Sequence, residues 1–330
     1  MTLRLSFLDL LPVGVGQSPS QVIRDTVTLA RTAERLGFER YWVAEHHNMR
    51  SIASSAPEVL IAHVAAATSR IRVGAGGIMI PNHTPLRVVE IFRTLEALHP
   101  GRIDLGLGRA PGTDPLTAAT LRRSDDPDVN RLLAELFAFD KNTFPGNHPF
   151  RRITPMPDDV RIGSIWMLGS TLTGASIAAQ LGLPYAFAGH FAMRNAKQAI
   201  AHYKSNFEPS PVLEKPYAIL AITTICADTD EEAERLTAPM KLSVVRARKG
   251  LSLPIASVEE ALRFEFSPEE EAVIEEFAFG AAIGSPSKVA EKLRATAREY
   301  DADELMLSNL VPDTAFRCAS LERIVNALKD

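Results

Sequence analysis

The feature that most constrains the fold is a regular alternation of short apolar runs with longer amphipathic segments. Eight runs have the length and near-continuous hydrophobicity of buried parallel strands. They cover residues 3–9, 40–45, 71–80, 102–108, 164–169, 184–189, 217–226 and 304–309. The segments between them space apolar residues by three and four, and the first runs from a capping serine to Gly37. This order predicts a closed parallel (β/α)8 TIM barrel, with a doubly wound open sheet as the alternative.

Two connections are too long for ordinary barrel loops. Residues 109–163 include the proline-rich stretch FPGNHPFRRITPMPDD, and residues 249–285 include SPEEEAVIEEFAFGAAIGS. Long loops in compact domains are commonly lids or binding loops. Neither segment has the composition of a linker. We therefore predict one domain over residues 1–330, with insertions after strand four and between strands seven and eight.

Composition limits the class of function. Of the residues, 46% are hydrophobic and 23% charged, and the net charge of −4 predicts no basic surface for nucleic acid or anionic membranes. No run of 18 apolar residues predicts a membrane span, and Asp9 and Pro12 interrupt the opening segment, so no signal peptide is predicted. Cys226 and Cys318 lack the spacing of a metal or redox motif. We expect a cytoplasmic protein that acts on a small molecule.

Polar or small residues follow four neighbouring predicted strands, and the active site of a TIM barrel lies at this carboxyl end of the strands. For a single residue, an ordinary polar loop explains the pattern equally well. Its repetition on four adjacent strands favours a site. The candidates are Glu45, His46 and His47 after strand two, Gly76, Gly77, Asn82 and His83 at strand three, Arg109 after strand four, and Gly169, Ser170 and Thr171 after strand five.

Two of these features, Arg109 and the segment 169–176, suggest a phosphate-bearing cofactor, and the glycine pair suggests a planar ring lying against the strand. Glycine within a strand, as at Gly76 and Gly77, is typical of close approach by a ligand or of crowded packing. Arg109 offers a fixed cationic fork for a phosphate, although arginines also form structural salt bridges. In GSTLTGAS, residues 169–176, glycine and hydroxyl residues open a helix. Such a helix start binds anions through its N–H groups, and simple capping by Ser170 or Thr171 is the alternative.

The two adjacent histidines favour proton transfer over metal binding. Neighbouring residues on an extended segment point to opposite sides, so His46 and His47 are poor joint ligands, and no metal site is predicted. A histidine with a pKa near its ordinary value of about 6.5 can exchange a proton at neutral pH.

The chain resembles the bacterial luciferase-like, flavin-dependent monooxygenases over essentially its whole length. The resemblance is most specific in AEHHN (44–48), VGAGGIMIPNHTPLRVVE (73–90), GRIDLGLGRAPG (101–112) and LGSTLTGASIAAQLGLPYAFA (168–188). It implies a TIM barrel that takes reduced FMN from a separate NAD(P)H:flavin reductase and uses O2 to oxygenate a small organic substrate. Gly108 stands where light-emitting members carry a reactive cysteine, so light emission is not expected.

The resemblance also assigns roles to the candidate residues. His46 corresponds to the family's active-site histidine, and Glu45 belongs to the same cofactor-contacting motif. Gly76 and Gly77 match a pair joined by a cis peptide behind the flavin ring. Arg109 and the segment from Gly169 to Gly174, including Ser170 and Thr171, match phosphate contacts.

Two alternative functions are compatible with the sequence, and its helices also predict a homodimer. A deazaflavin-dependent dehydrogenase would share the fold but ignore oxygen, and a noncatalytic flavin-binding protein would share the fold and bind flavin without turnover. The helices PEVLIAHVAAATS (57–69) and PLRVVEIFRTLEAL (85–98) carry more apolar surface than one face needs. The residues concerned are Ala62, Ala65, Ala66 and Ala67 in the first helix and Val89, Ile91, Phe92 and Leu95 in the second. This surface, and the family resemblance, predict a twofold homodimer through these helices.

Overall fold

Eight parallel strands close into a barrel in the computed structural model, which describes residues 3–121 and 128–329. Around the barrel the strands run in chain order, and pairing of the last strand with the first completes the ring. They are β1 (Leu5–Asp9), β2 (Arg40–Val43), β3 (Arg72–Met79), β4 (Ile103–Gly108), β5 (Ser164–Gly169), β6 (Tyr185–Phe187), β7 (Ala218–Cys226) and β9 (Glu304–Ser308). The predicted TIM barrel is confirmed, and closure rules out the open sheet.

A ninth strand, β8 (Ala282–Gly284), lies in the second predicted insertion, where no strand was predicted. It pairs in parallel with Thr224 to Cys226, the outer end of β7, and so lengthens one wall beyond the barrel ring. Three residues ending in glycine are too short and too weak in β-propensity to stand out in the sequence. Residues 122–127 of the first predicted insertion lie outside the described ranges.

Helices surround the barrel. They are α1 (Pro19–Arg35), α2 (Pro57–Ala67), α3 (Pro85–Leu98), α4 (Pro115–Leu121), α5 (Val129–Lys141), α6 (Leu172–Gln180), α7 (Gly189–Ser205), α8 (Asp230–Arg248), α9 (Val258–Leu262), α10 (Pro268–Ala278), α11 (Pro286–Glu299) and α12 (Thr314–Lys329). Short 3-10 turns cover Ile80–Asn82 and Pro149–Arg152. Many helices begin with proline, whose fixed φ and missing N–H suit the first turn. In α1 the buried residues Val22, Thr26, Leu29 and Ala33 form a single stripe against the barrel.

The barrel interior is filled rather than open. Leu8, Trp42, Trp166 and Met306 pack together in one buried apolar cluster, and the two indole rings meet edge to face at 5.4 Å. Interior and exterior side chains alternate along each strand, so this cluster comes from every second residue. It forms the floor beneath the carboxyl ends of the strands.

A buried ionic network closes the amino-terminal end of the barrel. Arg40 donates to Asp104 at 2.9 Å and to Glu304 at 2.8 Å. Arg72 adds a second cation to Asp104 at 2.5 Å, and the Tyr217 hydroxyl donates to Glu304 at 2.8 Å. We call these five residues the amino-terminal network. Its charges are matched inside the protein, which is the arrangement that buried charges require.

The first long connection is fixed to the barrel by one buried arginine. Arg93 of α3 is almost completely buried and donates to Asp140 of α5 at 3.2 Å. It also donates to the backbone carbonyls of Pro155 and Asp140, both at 2.7 Å. The connection therefore packs on α3 through hydrogen bonds as well as through apolar contacts.

The helical faces proposed for dimerisation need correction. Of the residues predicted to form the interface, Ala65, Val89, Phe92 and Leu95 are buried and cannot form an outer surface. Ala62, Ala67 and Ile91 are half-buried, and Ala66 is exposed. The four buried side chains belong to the main hydrophobic core instead. The apolar residues that α2 and α3 do expose include Val59, 64% exposed, and Leu98, 63% exposed.

Candidate active site

Glu45 lies at the centre of a hydrogen-bonded cluster beyond the ends of β2 and β3. Its carboxylate is fully buried and accepts bonds from His83 Nε2 at 2.9 Å, His47 Nε2 at 2.9 Å, Asn82 Nδ2 at 3.0 Å and the Met79 N–H at 2.8 Å. A carboxylate has about four acceptor positions. All are used, so the Glu45 carboxylate has no acceptor position left for a ligand.

The charges in this cluster stabilise one another. Burial alone would raise the pKa of Glu45, but hydrogen bonds from His83, Asn82 and His47 together lower it below its ordinary value. Burial alone would likewise lower the pKa of His83, yet Glu45 and the nearby charge of Glu58 raise it. The pair therefore favours an ionised carboxylate beside a protonated imidazole.

His46 differs from its neighbours because no carboxylate bonds to its ring in the described part of the chain. Its Nδ1 lies 3.3 Å from the carbonyl oxygen of Gly112. Burial lowers the pKa of His46, and the attraction of Glu45 and the Gly112 carbonyl offsets this only in part. His46 is thus a mainly neutral imidazole near pH 7, able to take up or release a proton.

The loop after β4, residues 109–114, is bonded to the loops after β2 and β3. Thr113 Oγ1 donates to the His47 carbonyl at 2.8 Å, and Asn82 Nδ2 donates to the Pro111 carbonyl at 2.9 Å. Gly112 has a φ of 66°, and a Cβ there would lie 2.8 Å from the Glu45 carbonyl oxygen. Three separate loops therefore hold one another in place around His46.

Gly76 and Gly77 are joined by a cis peptide bond, as the family resemblance implies. A Cβ on Gly76 would lie 2.9 Å from Leu8 Cδ1, and one on Gly77 would lie 2.6 Å from the Gly106 carbonyl oxygen. Packing inside the barrel therefore accounts for both glycines. This packing does not test whether the pair also contacts a flavin ring, and that contact stays a prediction.

Arg109 and the start of α6 lie near each other at the ends of β4 to β6. Burial raises the pKa of Tyr185, and the positive charge of Arg109 opposes that rise, which places the guanidinium near the phenol. Tyr185 in turn donates to the Thr171 carbonyl at 3.4 Å. Among the residues that the structure describes, Arg109 forms no salt bridge, so its charge is available to a ligand.

The turn from β5 into α6 leaves helical N–H groups without a side-chain cap. Thr171 occupies the N-cap position, yet its side chain makes no capping hydrogen bond. A Cβ on Gly169 would lie 3.3 Å from Gly174 Cα, so the two glycines permit a close turn between strand and helix. The capping alternative is wrong for Thr171. A close turn followed by uncapped N–H groups suits an oxyanion.

His190 belongs to the same mouth and was missed in the sequence. It follows β6 as the second residue of α7, and its Nδ1 is buried with no hydrogen-bond partner in the described chain. Burial, reinforced by the charge of His46, lowers the pKa of His190 to about 4. The rule that found His46, a polar residue at a strand's carboxyl end, could have found His190 as well.

The described residues contain neither a metal-binding cluster nor a helix able to span a membrane. No group of three or more histidine, cysteine or acidic side chains is arranged to hold a metal ion. Within the same ranges, no helix has the length and hydrophobicity to cross a membrane.

Known proteins resemble the chain over nearly all its length. The sequence pattern of the luciferase-like monooxygenases matches residues 3–303. A luciferase-like monooxygenase of Escherichia coli strain K12 is 42% identical over 328 residues, covering 97% of this chain and 96% of the relative. An N-acetyl-S-alkylcysteine monooxygenase of Bacillus subtilis is 32% identical over 330 residues, covering 99% and 98%.

Solved structures also resemble this chain over nearly all its length. The crystal structure of apo-MsnO8 has a TM-score of 0.89 at 35% identity, covering 99% of this chain and 98% of that one. More distant structures share the fold alone. They include the oxygenating component of 3,6-diketocamphane monooxygenase in complex with FMN, with a TM-score of 0.68 at 18% identity, and an F420-dependent secondary alcohol dehydrogenase, with 0.68 at 15%.

Proposed function

Because the chain belongs to the luciferase-like monooxygenase family, we propose that it uses reduced FMN and O2 to oxygenate a small organic substrate. The observation that carries the choice of a phosphate-bearing flavin is the unpaired Arg109 beside the uncapped start of α6. A guanidinium and free helical N–H groups are two of the features that bind phosphate in proteins. When bound, reduced flavin supplies the electrons that activate oxygen.

In this proposal each group of candidate residues has its own role. Arg109 and the backbone from Gly169 to Gly174, with Ser170 and Thr171, hold the phosphate, and Gly76 and Gly77 lie against the flavin ring. His46 holds or releases a proton at its imidazole near neutral pH. Glu45 does not touch the cofactor through its carboxylate. It fixes His47 and His83, and through them the loops around His46.

The partners follow from the same proposal. A separate NAD(P)H:flavin reductase supplies reduced FMN, and the chain works as a single domain in the cytoplasm, where Cys226 and Cys318 stay as free thiols. The name of the Bacillus subtilis relative makes N-acetyl-S-alkylcysteines the first substrates to try.

We also propose a homodimer through the outer faces of α2 and α3. Val59 and Leu98 give these faces their exposed apolar area. Light scattering should give about twice the 36.0 kDa mass of one chain. Val59→Glu should yield monomers, whereas Ala65→Glu would disturb the core and is no test of the interface. A monomeric wild-type protein would reject the dimer.

Mixing the protein with reduced FMN, first without and then with oxygen, tests the proposed function. We expect tight anaerobic binding, followed by an oxidation time course that differs from that of free reduced FMN. Binding without any change in that time course would favour a noncatalytic flavin protein. Binding of reduced F420, with no binding of FMN, would favour the deazaflavin-dependent dehydrogenase.

A further inference from the structure

A cavity of about 290 Å³ lies at the carboxyl-terminal end of the barrel, beside the strands β7, β9 and β1. These three strands pair side by side, and Ile225 of β7, Val311 after β9 and Val15 after β1 contribute to the cavity walls. Around the ring, β9 and β4 are four strands apart in either direction. The cavity and Arg109 therefore lie at the same end of the barrel but on opposite sides. None of the residues proposed to hold the flavin lines the cavity.

The remaining walls are α8 and residues 255–258 at the start of the second long connection. Hydrogen bonds hold these segments together. The Val15 N–H donates to the Ile255 carbonyl at 2.8 Å, which ties the connection to the loop after β1. Gln17 Nε2 donates to the Pro312 carbonyl at 3.2 Å, which ties the same loop to the one after β9. The cavity is thus enclosed by segments that are bonded to one another.

The chemistry of the lining favours a neutral, apolar ligand. Most of the side chains are apolar, and they include Ile225, Leu236, Met240, Ile255, Val258 and Val311. The polar side chains already serve the protein. Gln17 Oε1 accepts from the loop after β1, and Ser257 and Asp313 accept from N–H groups in the first turns of α9 and α12. Among the described lining residues Asp313 alone is charged, and its negative charge disfavours an anion.

The cavity is open to solvent and large enough for a small organic group. Val15 in its lining is 58% exposed, and Gln17, Ser257 and Asp313 are exposed as well, so a ligand can enter from outside. An engineered apolar cavity of about 150 Å³ in another protein holds benzene. On that scale, 290 Å³ accommodates a group of roughly six to ten carbon atoms.

We propose that this cavity is a second binding site, separate from the flavin site, for an uncharged apolar molecule of roughly six to ten carbon atoms. Removal of apolar area from water drives the binding, so each added methylene group should raise the affinity about fourfold. A carboxylate on the same chain would lose its hydration without gaining a donor, and it would approach Asp313. The inference does not depend on the proposed use of FMN, because other residues form this site.

Titration with n-octanol tests the proposal on the intact protein. Isotope-labelled methyl groups of isoleucine and methionine are followed by NMR. We expect the methyl signals of Ile225, Ile255 and Met240 to shift together, whereas that of Ile103, at the start of β4, does not. From n-butanol to n-octanol the affinity should rise about fourfold per methylene group. Octanoate at neutral pH should bind about tenfold more weakly than n-octanol, or worse.

A pair of variants separates the cavity from other apolar surface. Leu236→Trp removes room for about two methylene groups and should weaken n-octanol binding about tenfold. Leu262, on α9, is 57% exposed and does not line the cavity, so Leu262→Trp is the matched control and should bind like the wild type. Urea unfolding checks that both variants are folded.

The results that would overturn the proposal are specific. Methyl shifts confined to residues outside the lining would do so, and so would equal binding by the wild type and Leu236→Trp. The wild-type titration decides the matter even if Leu236→Trp does not fold. Saturating reduced FMN, added without oxygen, should leave the affinity for n-octanol unchanged, and competition would refute a separate site. Failure of the wild type to bind reduced FMN would refute the proposed function and leave this inference standing.

Discussion

At the amino-terminal end of the barrel, Arg40 is bonded to two carboxylates, whereas at the carboxyl-terminal end Arg109 has no carboxylate partner in the described chain. Both ends contain buried or half-buried polar side chains on the same strands. At the amino-terminal end the charges of the network are paired inside the protein, so that no buried charge is left without a partner there. The other end leaves a cation and an imidazole nitrogen with bonding capacity to spare. Unused capacity of this kind, rather than polarity, distinguishes the candidate site from a structural network.

The Glu45 cluster refines this comparison, since it lies at the carboxyl-terminal end yet resembles the other end. Its carboxylate is saturated by two histidines, an asparagine and a backbone N–H. The carboxyl-terminal end therefore combines two groups of polar residues. The Glu45 cluster has its hydrogen bonds satisfied and holds the loops around His46 in position, whereas Arg109 keeps its charge available for a ligand.

The largest expected effect comes from breaking the amino-terminal network. Arg40→Met leaves Asp104 and Glu304 buried without their shared cation, and the free energy of unfolding should fall by about 3–5 kcal/mol. Urea unfolding measures this loss. Arg35 pairs with Glu322 at the surface, and Arg35→Met should cost about 0–1 kcal/mol. Equal losses in both variants would contradict a structural role for the network.

At the other end, His46→Ala should reduce function rather than stability. Losing a group that handles a proton typically slows a reaction about 100-fold or more. We expect that loss in product formation with little change in urea unfolding, and a milder loss in His47→Ala. Stopped-flow spectra with normal oxygen reaction and normal product yield in His46→Ala would remove this residue from the mechanism.

Arg109→Ala tests the unpaired cation. Removing a charge-assisted contact to phosphate should weaken the binding of reduced FMN by about 1.5–3 kcal/mol. Riboflavin, which lacks the phosphate, should bind the variant and the wild type alike. Anaerobic titration measures both ligands, and an unchanged affinity for FMN would place Arg109 outside the site.

The smallest effect concerns the pH dependence of stability. The pKa of His190 is about 4 in the folded chain against an ordinary 6.5, so below pH 6.5 the unfolded chain takes up the proton more readily. Stability from the neutral ring is thus present above pH 6.5 and is lost as the pH falls towards 4. His190→Phe should flatten this decline in urea unfolding. Parallel curves for wild type and His190→Phe would refute the assignment.

Local patterns in the sequence predicted the barrel and much of its rim. Strands buried on both faces read as continuous apolar runs, and the residues after β2, β4 and β5 stood out because polar side chains follow them. The hydrogen-bond and ion-pair partners of these residues could not be predicted in the same way. Arg40 and Glu304 are 264 residues apart, and no spacing rule connects them. The saturation of Glu45 likewise appears only once the fold brings His83 to it.

Burial was the other quantity that the sequence could not supply. Ala65 and Val59 look equally suited to an interface on a helix rich in small apolar residues, but one faces the barrel and the other faces outward. Because α2 is apolar almost all round, its pattern does not indicate which side packs. The correction to the dimer surface follows from this ambiguity.

Arg93 has a consequence for anyone exchanging segments between relatives. The long connection after β4 is bonded to a residue of α3 that lies outside it, so the connection is not a self-contained module. If a chimaera takes residues 109–163 from another protein, the hydrogen bonds made by Arg93 are kept only when residue 93 and its acceptors come from the same parent. Crossover points placed before α3 keep the anchor and its acceptors together, and those placed at the end of β4 split them.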